Sequence, residues 1–483
     1  MRQFLSVVTL PLLLSFGAVS WAGDSSENYS FLGGYPSETT VQRVRDELDL
    51  NRAVQAYRFF FPAVSMYSGW KGSVEQLGMK PNQSFALLEA SPRKQVLTAN
   101  SDTPYATMLL DLSQGPMVVE LPPGPLMALV NDLNQQWVMD LGLTGPDKGL
   151  GGRHLVLPPG EASSSREGFF VGKSSTNRAL LILRALPKGG DTQGAVKLMG
   201  QVRVHPLNAT RDIALQWIDQ SGMTLDSLLL QSELTLGFWQ LLHELVEAEP
   251  ASPDQLGYYG DLAALGIAKG RPFEPDERMR GILLRAARMA NAQLRVESFA
   301  DDSPDRLVWP GRQWEWAVLR PEQGSFVKAG HLDQVARDKW FFQALGDSPA
   351  MFRRVPGAGS LYWLNTRDNQ GRYLDGARTY RLRVPPGVPA RLFWSITLYD
   401  AQTRSQIRNH GMQSALRSLN ELREAERNKP LDLYFGPKPP AGREGHWIET
   451  RPGEGWFAYF RIYGPEQAAF DGSWKLDDFE EIR

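Results

Sequence analysis

Asn100-Ser101-Asp102-Thr103-Pro104-Tyr105 gathers an acid, an amide, two hydroxyls and a phenol into six residues. Asp102 can serve there as acid, base or ligand anchor, with Asn100, Thr103 and Tyr105 as binding contacts. Asn, Ser and Asp also bond to nearby backbone, so a side-chain-bonded turn is the plain alternative. A second cluster runs from Gly145 to His154 and sets Asp147 and Lys148 among closely spaced glycines. Glycine lets backbone approach a ligand closely, and Lys148 with Arg153 could meet an anion. No helix follows to complete a phosphate cradle, and a turn-rich connection describes the stretch better. The third cluster joins Tyr399-Asp400, Thr403-Arg404-Ser405, Asp432 to Pro437, and His446-Trp447. Arg404 offers anion binding and His446 proton transfer, while Tyr399 and Trp447 offer flat faces to a ligand. The candidate catalytic set is therefore Asp102, Arg404 and His446. The candidate ligand-binding set is Asn100, Thr103, Tyr105, Asp147, Lys148, Tyr399 and Trp447.

Other chemistries find little support. There is no nucleophile elbow, zinc-protease helix, phosphate loop or dinucleotide fingerprint. The chain has no cysteine, which excludes thiolate chemistry and disulfides alike. His154, His205, His243, His331, His410 and His446 lack metal-ligand spacing, so no metal is assigned, and no cofactor is named. Asp368-Asn369-Gln370-Gly371 begins like a calcium loop but lacks its later acids and reads as a hairpin turn. With 52 basic and 54 acidic residues, the chain has no nucleic-acid footprint.

These clusters need elements to hold them. Residues 1–22 read as a cleavable signal peptide, with a short basic start, an apolar run and a cut after Ala22. That leader predicts a periplasmic or secreted protein. No later apolar run reaches about 18 residues, so no transmembrane span is expected. Residues 23–190 are expected to form a β-rich domain, preceded by a helix over 38–61 that Pro62 ends. Its strands are expected at Val96-Leu97-Thr98, Ala106 to Leu110, Met117 to Leu121, Met127 to Val130, His154 to Leu157, Gly168 to Val171 and Leu180 to Leu183. Residues 191–350 read as mainly helical, with amphipathic stripes over Leu225 to Val246 and Met279 to Leu294. Residues 351–483 are expected to form a C-terminal β-sandwich, with 411–429 as a helix-prone connection. The predicted class is mainly β with a helical segment, an α+β multidomain chain.

The first two clusters, continued through Leu155-Val156-Leu157-Pro158-Pro159-Gly160, resemble the domain of unknown function 1254. Phe393 to Asp400, Thr403-Arg404-Ser405, Asp432 to Pro437, Gly453 to Phe457 and Arg461 to Pro465 resemble its usual partner, the domain of unknown function 1214. The resemblance implies an exported bacterial protein with a β-rich start, a helical middle and a jelly-roll-like end. It transfers no catalytic residue. The chain departs from that pattern at His446, where family members tend to carry Asn, and at Asn428-Lys429-Pro430.

The functional expectation is an enzyme, with hydrolysis first, or a binding protein for a polar, sugar-like or aromatic small molecule. The alternative is a non-catalytic envelope binding or assembly protein, which would expose an aromatic patch instead of enclosing a pocket. A homo-oligomer is compatible with either.

Overall fold

A computed structural model describes residues 29–482, apart from 89–90, 163–164, 188–190, 211–212, 225–231, 320–325, 358 and 424–427. The leader expected at 1–22 and the start of the stripe at Leu225 lie outside the described residues. Residues up to Leu48 and residues from Asp49 onward form two compact units. In the first, a small hairpin pairs Phe31–Leu32 with Tyr35–Pro36.

The second unit holds two β-sandwiches and several helices. In the first sandwich a six-stranded sheet has the spatial order Gln216–Asp219, Ser84–Leu88, Tyr105–Asp111, Arg178–Ala185, Leu126–Asp132, Trp137–Gly142. A four-stranded sheet, ordered Arg203–Pro206, Met117–Leu121, Gly152–Leu157, Phe170–Lys173, covers one of its faces. Met108, Leu110, Val119, Leu121, Val130, Val156, Leu181 and Leu183 interlock between the two sheets. In the second sandwich the five-stranded sheet runs Glu315–Trp316, Ser360–Asn365, Trp456–Pro465, Ala390–Asp400, Ala415–Arg417. Its partner sheet runs Trp447–Glu449, Leu431–Gly436, Thr379–Val384, Glu480–Ile482. Trp363, Tyr380, Ile396, Phe435, Phe460 and Phe479 fill the space between them. With no disulfide available, this aromatic packing carries the burden of stability.

Helices cover the free faces. The helix Glu38–Glu75 packs Tyr57, Phe60, Phe61 and Val64 into a core shared with the helices Gly237–Ala248 and Glu277–Phe299, and with Ala86 and Leu109 of the six-stranded sheet. Asp276 caps the helix Glu277–Phe299 through the amide of Met279 at 2.7 Å. The short helix Gln334–Gln343 lies between the sandwiches. Arg58 bonds its Asp338 at 2.7 Å, and its Trp340 and Phe341 pack with Tyr362, Tyr399 and Tyr459 of the five-stranded sheet.

Four local expectations need correction. The first helix does not stop at Pro62 but continues to Glu75. Proline costs a helix one backbone bond, and nearby donors serve the carbonyls around it. Arg337 donates to Phe59 O at 2.8 Å, and Ser65 Oγ and Gln135 Nε2 donate to Pro62 O at 2.8 Å. Val96-Leu97-Thr98 is not a strand but a loop, with Thr98 at φ +36°. In the described part of 411–429, Ala415–Arg417 adds a strand beside Ser395–Thr397 and turns follow, in place of a helix. Within the largely helical middle, Arg203–Pro206 and Gln216–Asp219 are strands that complete the first sandwich. The Asp368 hairpin turn is present, with Asp368 Oδ1 accepting from the amides of Gln370 and Arg372 at 2.9 Å. No described helix is long and apolar enough to cross a membrane.

Three buried carboxylates join the first sandwich to the chain just after Gln334–Gln343. Asn131 Nδ2 donates to Asp347 Oδ1 at 2.8 Å, and Asp347 N donates back to Asn131 Oδ1 at 3.1 Å. Burial pushes Asp347 well above the usual carboxylate range, and Asp132 and Asp140 add repulsion. Burial also raises Asp132, and raises Asp140 to about 6. A raised folded-state pKa gives stability that is full below the unfolded value near 4 and fades as pH rises. Asp347→Asn should therefore raise the melting temperature by at least about 2 °C at pH 8 and change it less at pH 4.5, read by calorimetry. An equal shift at both values would show that the three acids do not control stability through ionisation.

Candidate functional site

The turn Asn100–Tyr105 is threaded between the two sandwiches. Asn100 Oδ1 accepts from the amide of Asp102 at 3.2 Å, which is the side-chain-bonded turn that its composition suggests. The second sandwich holds the turn by its carbonyls. Tyr399 Oη and Gln406 Nε2 each donate to Ala99 O at 2.9 Å, Arg417 Nη1 donates to Ser101 O at 2.7 Å, and Arg461 Nη2 donates to Thr98 O at 3.1 Å. Thr98 N donates to Arg404 O at 2.8 Å. Asp102 is then fixed by its own side chain. Its Oδ2 accepts from Ser395 Oγ and from Tyr463 Oη, each at 2.8 Å.

Strand periodicity aims the remaining groups. In Trp456–Pro465, Phe460 and Ile462 enter the sandwich core, so Tyr459, Arg461 and Tyr463 share the opposite face. In Arg178–Ala185, Leu181 and Leu183 face the first core, so Leu180, Ile182 and Arg184 face the other way. Register then aligns a row across the five-stranded sheet. Arg461 lies beside Tyr362 on one side and Ser395 on the other, and Ser395 lies beside Arg417. Arg184 reaches in from the first sandwich. Its Nε donates to Thr103 Oγ1 at 2.9 Å, and its guanidinium sits 4.6 Å from the Tyr105 ring centre.

Arg461 is 3 % exposed, and its Nε and Nη1 have no hydrogen-bond partner among the described residues. Its guanidinium lies 5.0 to 5.5 Å from the ring centres of Tyr459, Tyr362 and Tyr399. Burial works against that charge. The phenols and Asp102 around it work for it, and the net shift is upward. Burial raises the Tyr463 phenol well above its usual value, reinforced by Asp102, so it donates as a neutral hydroxyl.

Two cavities flank this turn. The first, of about 240 Å³, is mostly apolar. Trp70, Leu129, Ile182, Trp340 and Met351 help to line it, while Asn100, Tyr105, Arg184 and Arg461 supply its polar end. Gly69, which is exposed, stands at its rim. The second, of about 590 Å³, is mostly polar and takes in Asp102, Thr103, Gln413, Ser414 and Arg417.

The structure thus brings Asn100, Asp102, Thr103, Tyr105 and Tyr399 together. Arg404 lies near them without joining them. It is buried, stacks 4.2 Å from the Phe342 ring and donates to Phe342 O at 3.2 Å. Burial, with Arg295 nearby, lowers it to about 10. Asp147 accepts from Gly142 N at 2.7 Å and meets buried His154 at 3.1 Å, which holds the glycine-rich turn closed. Lys148 is exposed on that turn at φ +52°. His446 and Trp447 sit on the outer sheet and line neither cavity, and the Trp447 indole donates to Gly436 O at 2.9 Å. Sequence reasoning missed Arg184, Ser395, Arg461 and Tyr463. The available signal was an arginine inside an otherwise aromatic strand, since a charge there must be partnered or functional. No group of three or more potential metal-binding acids or histidines occurs among the described residues.

Known proteins supply fold but no activity. A crystal structure of the VPA0106 protein from Vibrio parahaemolyticus is similar at 14 % identity and a TM-score of 0.54, covering 90 % of this chain and all of that one. That likeness shows a shared fold. A putative uncharacterized protein from Burkholderia cenocepacia is similar at 11 % identity and a TM-score of 0.40, covering 92 % of this chain and 97 % of that one. No curated protein matches the sequence. Residues 82–206 match the family described as protein of unknown function (DUF1254), and residues 359–467 match the family described as protein of unknown function (DUF1214), in the order the sequence motifs indicate.

Proposed function

We propose that this chain is an exported, periplasmic protein that binds a small organic acid, with its apolar body in the 240 Å³ cavity and its acidic head against Arg461 and Arg184. One observation carries the reading. Arg461 is a buried cation in the wall of an apolar cavity, and two of its donors have no partner among the described residues. Buried charges are expensive unless paired, and a planar fork of donors suits a carboxylate. Small-molecule sites are typically concave and apolar, with a few polar groups fixing orientation. An engineered cavity of about 150 Å³ holds benzene, so this one has room for an aromatic or short-chain acid. The export part rests on the leader-like residues 1–22.

Concave cavities walled by buried polar groups favour a small ligand over the envelope-assembly alternative, which would expose an aromatic patch. Hydrolysis keeps Asp102 as its base. However, no histidine or second carboxylate hydrogen-bonds Asp102 among the described residues, where its bonds go to Ser395 and Tyr463. Binding is therefore the reading with more geometric support.

Titration calorimetry with octanoate and phenylacetate, against octanol and 2-phenylethanol, tests this reading. The acids should bind and the alcohols should bind far more weakly. Arg461→Met should weaken acid binding about 30-fold or more. Its ligand-free melting temperature, read alongside, separates lost binding from lost fold, because the substitution also removes the bond to Thr98 O. A Cβ at Gly69 meets nothing within 4 Å, so Gly69→Phe should fold normally while obstructing the rim. Acids that bind no better than their alcohols, or that ignore both substitutions, would refute the reading.

A further inference from the structure

The acid-binding reading uses one side of the Asn100–Tyr105 turn and leaves Asp102 Oδ1 unexplained. Asp102 is 8 % exposed, and Oδ1 is buried with no partner among the described residues. A carboxylate held by two hydroxyl donors on one oxygen has acceptor capacity to spare on the other. Leaving that acceptor unmatched costs about 1–3 kcal/mol, so such a group calls for an explanation. Asp102 lines the second cavity, whose volume of about 590 Å³ exceeds that of the first.

The chemistry of that cavity differs from its neighbour. Ser91, Ser101, Thr103, Gln413, Ser414 and Asn420 contribute hydroxyls and amides to its wall. Ser91 Oγ is also buried without a partner among the described residues. Among the described residues of the wall, the arginine is already engaged. Arg417 Nε donates to Glu421 at 3.0 Å and its Nη1 donates to Ser101 O. No free cation among the described lining residues therefore greets an anion there. A ligand amine is not demanded either, because Arg461 and Arg417 already interact favourably with the Asp102 charge. What Asp102 Oδ1 lacks is a neutral hydrogen-bond donor.

We infer that the 590 Å³ cavity is a second binding site, for a neutral polyhydroxylated molecule such as a monosaccharide or alditol, whose hydroxyl donates to Asp102 Oδ1. The site lies between Ser101–Pro104 of the first sandwich and Gln406–Glu421 of the second. A ligand there touches both and bears on the same carboxylate that anchors Tyr463. The row Tyr362, Arg461, Ser395, Arg417 runs beneath both cavities, with Tyr362 and Arg461 in the wall of the first and Arg417 in the wall of the second. The two sites thus share a scaffold while taking ligands of opposite character.

Two substitutions separate this site from the first. Thr192 is exposed, opens the helix Thr192–Met199 and lines only the polar cavity, so Thr192→Trp fills that cavity and leaves Asp102 in place. Asp102→Asn keeps the shape and puts an amide where the carboxylate oxygen was. Calorimetry and thermal shift on the full mature chain would use D-glucose, D-galactose, D-mannitol, butylamine and octanoate as probes. At least one of the three polyols should bind saturably. Thr192→Trp should abolish that binding, and Asp102→Asn should weaken it about ten-fold. Octanoate binding should be unaffected by Thr192→Trp. Three results would each overturn the inference: no saturable binding of any of the three polyols, stronger binding of butylamine than of them, or polyol binding unaffected by Thr192→Trp. Octanoate binding alone reports on the first cavity, so the two readings fail separately.

Discussion

Desolvation of a guanidinium is the constraint around which this structure is organised. Arg461 sits in the middle of an aromatic strand, on the face that meets the first sandwich. Water has little access to it there, and among the described residues its Nη2 donates to Thr98 O while its Nε and Nη1 have no partner. Three phenol rings and the nearby carboxylate of Asp102 offset part of the cost. Holding Asp102 in place therefore matters, and the Asn100–Tyr105 turn is tied at Thr98, Ala99, Ser101 and Asp102 to the second sandwich. The join between the sandwiches and the candidate site are the same set of contacts.

That dual use accounts for the contrast between the cavities. Apolar side chains from the long helix, the six-stranded sheet and Trp340 reach the turn from one side. The other side meets hydroxyls and amides from connecting segments, which carry more polar residues than packed elements do. One carboxylate at the boundary serves both. Two other sequence-derived candidates make their contacts away from the Asn100–Tyr105 side chains. Asp147 Oδ1 meets His154 inside a glycine-rich turn, its Oδ2 has no partner among the described residues, and Arg404 donates to carbonyls.

Much of the fold was legible because strand signals are local. Short apolar runs such as Ala106–Leu110, Met117–Leu121 and Leu180–Leu183 appear as strands close to where the sequence places them. The errors fall where a distant partner decides. Pro62 should end a helix on local grounds, yet Tyr57, Phe60, Phe61 and Val64 on both sides of it pack into one core with two other helices, and the helix runs through it. Ala415–Arg417 has helix-friendly residues, yet pairing with Ser395–Thr397 makes it a strand.

The sequence by itself determined the α+β class, the family resemblance at both ends and the side-chain-bonded turn at Asn100–Tyr105, because these rest on composition, order and short-range hydrogen bonding. Only the tertiary structure decided which cations meet that turn. Arg184 and Arg461 lie 277 residues apart. They converge because strand register and the packing of two sheets bring them to one cavity, and no local pattern encodes a register between strands so far apart in the chain.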